Sequence, residues 1–288
     1  MSKTVLLVGT ADTKSDELSF LRASIEQQGA KVLLMDVGVL AQGPVQVDVS
    51  NRAVARAGGF SLEAVVSWGD ENRAMNTMAL GASRLASELF EQGKIHAMLA
   101  LGGTMGTDLA FDVASGLPLG VPKVILSTVA FSQLIPPERI SADLMMMLWA
   151  GGLYGLNSLC KSALAQAAGA AVGAMNAAQP PRFDRPLIGM TSLGKSCLNY
   201  MVHLKPALEQ RGVEVAVFHT TGMGGRAFES LAEQGKFAAV LDLSLQELAN
   251  QVGGSCVSAG AARLTGASRH GTPQIVAPGA ADMIDFPA

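Results

Sequence analysis

Short β-rich runs alternate with helix-length amphipathic segments along the whole 288-residue chain, and glycine follows most of the runs. Such alternation calls for parallel strands joined by right-handed crossovers, because parallel neighbours need a long return connection. The runs expected as strands are 4–8, 31–36, 95–101 and 123–128, then 187–191, 213–219, 238–243 and 274–277. Helices are expected at 15–28, 71–92 and 163–174, then near 197–210, 225–234 and 245–252. Within 71–92, Met75, Met78, Ala82, Leu85 and Leu89 recur at spacings of three and four and so share one face. Residues 39–50, with Gly43 and Pro44, show no helical period.

The chain is longer than a usual single domain, and 176–185 (NAAQPPRFDR) is its best linker, since two prolines stop the preceding helix. The expected fold class is α/β, with two Rossmann-like lobes built on mainly parallel sheets, at 1–180 and 181–288. The lobes share an architecture without an obvious sequence repeat.

Composition narrows the function. The net charge of −3 comes from 21 basic and 24 acidic residues in no like-signed run, so neither nucleic acid nor an anionic membrane is expected as a partner. Cys160, Cys197 and Cys256 are odd in number and widely spaced, which suits a reducing cytoplasm and neither a disulfide framework nor a metal cluster. The N-terminus lacks the features of a signal peptide. Residues 162–181 carry no charge but are mostly Ala and Gly, less lipophilic than a membrane span, and are expected as a helix buried between layers or subunits.

In an open α/β sheet, ligands bind at the carboxyl ends of the strands, so the residues just after each strand carry the argument. The strongest loop is Gly102-Gly103-Thr104-Met105-Gly106-Thr107, where glycines allow backbone amides to face one concavity and the following helix adds its positive end. Phosphate binding is the expectation, with a tight capped turn as the other reading. After the first strand, Gly9-Thr10-Ala11-Asp12-Thr13-Lys14 offers hydroxyls and a lysine to the same ligand, or Asp12 or Thr13 as a helix cap. Asp36, before Val37-Gly38, stands where dinucleotide folds put the ribose-binding acid, or is a turn residue. Ser127 and Thr128 close the fourth run, and Asp282 and Asp285 lie near the end; each caps or binds.

The second lobe contains the string Gly189-Met190-Thr191-Ser192-Leu193-Gly194-Lys195-Ser196, which fits the phosphate-loop pattern G-x-x-x-x-G-K-[ST], with Asp242 available as a magnesium partner. Its first glycine falls inside the expected strand, which leaves little room for a wrapped loop and favours a turn capped by Ser196. Downstream, His219-Thr220-Thr221-Gly222-Met223-Gly224-Gly225-Arg226 offers a proton-transfer group and an anion grip, or a solvated arginine beside a hydrogen-bonded histidine. Thr191, Ser192, Lys195, His219, Gly224, Gly225 and Arg226 thus form a second candidate anion site. No Ser-His-Asp spacing, zinc-binding His pair or paired-carboxylate motif stands out, so hydrolytic or metal catalysis lacks a case and no metal site is expected.

The order of these motifs resembles a known family. Gly9-Thr10, Asp12-Thr13-Lys14 with Glu17, Asp36-Val37-Gly38, Leu101-Gly102-Gly103 and Ser127-Thr128-Val129-Ala130 are similar to the ATP-binding domain of the tomato mosaic virus resistance protein and its bacterial and fungal relatives. Gly189-Met190-Thr191, Phe218-His219, Gly225-Arg226-Ala227, Gln246-Glu247-Leu248-Ala249, Pro278-Gly279-Ala280 and Asp282-Met283 continue the likeness. The resemblance implies two Rossmann-like subdomains, ATP in the first, and self-association. The family usually has a hydroxyl-rich loop near Gly194 without a lysine, which marks Lys195-Ser196 as a coincidence with the phosphate-loop pattern. Its members continue past the equivalent of residues 283–286, so the second lobe is expected to lack a closing portion.

The functional expectation is a soluble, cytoplasmic homo-oligomer, a dimer first of all, that binds ATP with or without magnesium and acts on a small anionic substrate at the inter-lobe cleft. The alternative is a non-catalytic regulatory or assembly module whose conformation is set by nucleotide.

Overall fold

The structure is a computed structural model that describes residues 2–40, 43–179 and 181–286; the side chain of Ser196 also lies outside the description, as does Pro180 of the linker. The chain divides into two compact units, Met1–Pro181 and Arg182–Ala288.

The first unit carries a five-stranded parallel sheet in the order β2-β1-β3-β4-β5, formed by β1 (Thr4–Gly9), β2 (Lys31–Asp36), β3 (Ala97–Gly102), β4 (Lys123–Ser127) and β5 (Leu144–Leu148). Its central strands are near-continuous apolar runs because both faces are covered. Alternate residues feed two cores: Leu6, Val8, Met98 and Ala100 face one, Val5, Leu7, Leu99 and Leu126 the other. The first core receives α2 (Asn51–Ala57), α3 (Leu62–Ser67), α4 (Glu71–Glu91) and α5 (Thr104–Ser115). The second receives α1 (Ser15–Gln27) and α6 (Ser158–Ala177).

The charge-free stretch therefore belongs to a layer: Leu164, Ala167, Ala168 and Ala171 of α6 are buried against α1, β3 and β4. Its small side chains allow close approach, and Asn157 caps it by accepting the Leu159 and Cys160 amides, each at 3.0 Å. No described helix is long and apolar enough to cross a membrane. Sequence reasoning missed β5, α2 and α3.

The second unit holds a four-stranded parallel sheet, β7-β6-β8-β9, formed by β6 (Leu187–Ser192), β7 (Glu214–His219), β8 (Ala239–Asp242) and β9 (Gln274–Val276). Its helices are α7 (Gly194–Glu209), α8 (Met223–Glu233), α9 (Gln246–Val252) and α10 (Gly266–His270). Phe218, Phe228 and Phe237 pack with ring centroids 5.4–5.8 Å apart. Gly189 lies within β6 beneath two of these rings, where a β-carbon would stand 2.8 Å from Phe237 and 2.9 Å from Phe228.

Candidate functional site

In the first lobe β1 connects outward to β2, while β3 connects the opposite way to β4, so the direction of winding reverses between β1 and β3. A doubly wound sheet opens a crevice at the carboxyl ends of the two strands at that point. Two clefts lie there, on either side of the first turn of α5. One, of about 260 Å³, has Thr10, Asp12 and Thr13 from the loop after β1, Val37 and Gly38 from the loop after β2, and Met105 and Gly106 from α5. The other, of about 210 Å³, has Thr104, Thr107 and Asp108 from α5 facing Val129 and the segment 134–136. Met75 of α4 and Met105 of α5 line both.

The glycines around α5 do different work. A β-carbon on Gly102 would lie 2.7 Å from the Gly106 Cα and 2.8 Å from the Thr107 amide nitrogen, so Gly102 is what lets the helix start directly against the strand end. Gly103, the residue before the helix, is open: the nearest atom to its virtual β-carbon is the Thr128 hydroxyl at 3.8 Å. No side chain caps this helix start. Its first turn thus presents the positive end of the helix, worth about half an elementary charge, beside the exposed Thr104.

The loop after β1 is prefolded. The Thr13 and Lys14 amides donate to the Thr10 carbonyl, the Thr10 and Thr13 hydroxyls are 2.8 Å apart, and Lys14 turns its ammonium back to the Thr13 carbonyl at 3.2 Å. Asp12 Oδ2 accepts the Leu40 amide at 3.0 Å, and Gly38 makes room for that carboxylate: a β-carbon there would sit 2.5 Å from it.

Several expected ligand residues are turned inward. Asp36 is 2 % exposed, and its Oδ1 accepts the Ala11 and Gly38 amides at 2.9 Å each, so it ties the two loops together. Burial pushes its carboxyl above the ordinary range, and the two amides oppose that. The ribose position expected for Asp36 is corrected accordingly: the side chain is a loop clamp. Thr107 and Ser127 are buried as well and share a hydrogen bond of 2.7 Å. Thr128 is half-buried next to Gly103. Gly9 ends β1 beneath Leu18.

The second lobe fills its helix start from within. Glu247 Oε1 accepts the Gly222 and Gly225 amides at 2.6 and 3.1 Å, and its Oε2 accepts Arg263 Nε at 3.0 Å. Gly225 is glycine because a β-carbon would collide with that carboxylate. Arg263 also donates to Asp242, Glu229 and the Ser244 carbonyl, which uses all five of its N–H groups inside the lobe. Burial raises the Glu247 carboxyl while Arg263 and the two amides lower it, with burial the larger effect.

The rest of the expected second anion site follows the same inward pattern. Thr191 donates to Asp242 at 2.8 Å and accepts the Ser244 amide, Ser192 is buried with its carbonyl on Thr220, and Arg226 donates to the Ser258 carbonyl. Gly224 rests on the His219 carbonyl, while His219 and Lys195 are exposed. The amides offered to an outside anion are held by Glu247, and Asp242, the magnesium partner of the phosphate-loop reading, is held by Arg263. The role of Ser196 as a cap lies outside the described residues.

Sequence reasoning missed Glu247 and Arg263 as partners. A lone arginine inside SAGAARLTGAS was the available signal.

These features define a two-lobed, doubly wound α/β protein with an open crevice in the first lobe. The chain belongs to the uncharacterised protein family UPF0261: the N-terminal domain model of that family matches residues 3–180 and the C-terminal domain model residues 185–288. It is 54% identical over 287 residues to a UPF0261 protein of Brucella suis, covering 100% of this chain and 69% of that protein. A UPF0261 protein of Clostridium tetani is 36% identical over 99% of this chain and 70% of its own length. The ToMV resistance protein Tm-1 of Solanum lycopersicum is 30% identical over 99% of this chain and 40% of its own length. Among solved structures, MurG of Acinetobacter baumannii aligns at 14% identity over 86% of this chain and 75% of that one, with a TM-score of 0.26.

Proposed function

We propose that the first lobe binds a nucleotide, ATP with or without magnesium, with its phosphates against the first turn of α5. The observation that supports this most is the uncapped helix start beside the open Gly103, facing clefts on both sides at the point where the sheet reverses its winding. Thr104 supplies a hydroxyl donor, and the methionine walls offer an apolar surface for a base. Calorimetry with ATP on the native chain and on Gly103→Val tests it. A β-carbon at Gly103 meets nothing closer than the Thr128 hydroxyl at 3.8 Å, so the variant should fold and bind ATP at least about tenfold more weakly. Equal affinity would refute the assignment.

One observation favours binding without turnover. Among the described residues that line either cleft there is no Lys, Arg or His to stabilise the charge that develops on a transferred or leaving phosphate. In this reading nucleotide sets the conformation of a regulatory or assembly module, and self-association is its output. Sedimentation with and without ATP tests that part, with a nucleotide-dependent shift toward dimer as the expected result.

A further inference from the structure

The usual ribose acid of a doubly wound fold stands at the end of the second strand, which here is Asp36. That carboxylate is buried and holds the Ala11 and Gly38 amides. The acid facing the crevice is one loop away. Asp12 lines the larger cleft and is fixed at one oxygen by the Leu40 amide. The glycine at position 38 is what leaves room for it.

An ionised carboxylate only accepts hydrogen bonds, so it repels phosphate and selects a ligand with paired donors. The same cleft adds the Thr10 and Thr13 hydroxyls and the apolar side chains of Met75, Met78 and Leu109. Hydroxyls beside a flat apolar body are the chemistry of a nucleoside. We infer that Asp12 accepts the ribose hydroxyls of the bound nucleotide and is the residue that distinguishes a ribonucleotide from its deoxygenated analogue. This rests on the nucleotide reading of the first lobe.

The geometry also sorts the two clefts. Asp12 keeps the phosphates away from its own side, whereas Asp108, the acid of the smaller cleft, is paired with Arg139 at 3.0 Å, so the phosphates lie toward Thr104 in the smaller cleft and the nucleoside lies in the larger one. Glu71, the other acid at the larger cleft, is exposed at the start of α4 and makes the natural control.

The test is calorimetry of ATP, 2′,3′-dideoxy-ATP and inorganic tripolyphosphate with the native chain, Asp12→Asn and Glu71→Gln. In Asp12→Asn the amide oxygen keeps the Leu40 contact and the NH2 group then faces the ligand, so an acceptor becomes a donor. The native chain should prefer ATP over the dideoxy analogue at least about tenfold. Asp12→Asn should lose that preference with dideoxy-ATP affinity unchanged, and Glu71→Gln should keep it. Equal native affinity for the two nucleotides, or an equal loss of both in Asp12→Asn, overturns the inference. Tripolyphosphate binding with no gain from the nucleoside overturns it while leaving the α5 anion site standing. If none of the three binds the native chain, the nucleotide reading fails and the assignment of Asp12 falls with it.

Discussion

Arg263 grips Asp242 in a two-pronged pair, Nη2 lying 2.6 Å from Oδ1, with both side chains fully buried. The guanidinium also reaches Glu229 and Glu247, so one cation organises β8, α8 and α9 around the loop that carries it.

Removing that cation should unfold the second lobe first. Arg263→Met leaves buried carboxylates without their partner, and loss of one member of a buried pair costs about 3–5 kcal/mol. Both tryptophans, Trp68 and Trp149, lie in the first lobe, so their fluorescence reports that lobe while far-ultraviolet dichroism reports both. In urea the variant should show an early dichroism transition that tryptophan does not follow. Coincident, native-like transitions would contradict this role.

The Glu247 carboxyl gives the same lobe a pH dependence. Burial raises it above its ordinary value of 4.5, so below that value the folded and unfolded chains are both protonated and the stabilisation is complete. As pH rises above 4.5 the unfolded chain releases its proton first, and stability falls through the folded value. Glu247→Gln cannot titrate, so the stability difference between native chain and variant should shift against the native chain between pH 4.5 and neutrality. A difference that grows in favour of the native chain over that window would reverse the sign of the account.

Gly102 and Gly103 should separate cleanly. Gly102→Ala drives a methyl group into the Gly106 backbone and should cost a few kcal/mol, lowering the thermal midpoint of the first lobe by several degrees. Gly103→Ala meets nothing closer than 3.8 Å and should melt like the native chain. Thermal unfolding followed by tryptophan fluorescence compares them directly.

Lys195→Ala should leave ATP affinity and any nucleotide turnover unchanged. Lys195 is exposed on α7, and Asp242 is committed to Arg263. A fall in either quantity measured on purified protein would revive the phosphate-loop reading of the second lobe.

The strand runs were legible because a strand buried on both faces is written as unbroken apolar sequence, as at 5–8 and 97–101. The α4 face was legible from the spacing of its methionines. Strand β5 was not, since Leu144-Met145-Met146-Met147-Leu148 is as good a helix as a strand until β4 pairs with it. The loops after β1 and β3 could be read as candidate ligand residues from their place after strands. The direction of each side chain could not, because it depends on what packs behind it. Asp36 ends a strand and Asp12 lies in the loop just after one, and only the Ala11 and Gly38 amides decide which one is consumed. Glu247 and Arg263, 16 residues apart, meet because α9 and the following loop return to the start of α8.

Hydrogen exchange of the full chain with and without ATP tests the central claim most directly. The account predicts slowed exchange at 103–106 and 10–13, with 194–197 and 222–226 unchanged. Protection confined to the second lobe, or none at saturating ATP, would contradict it.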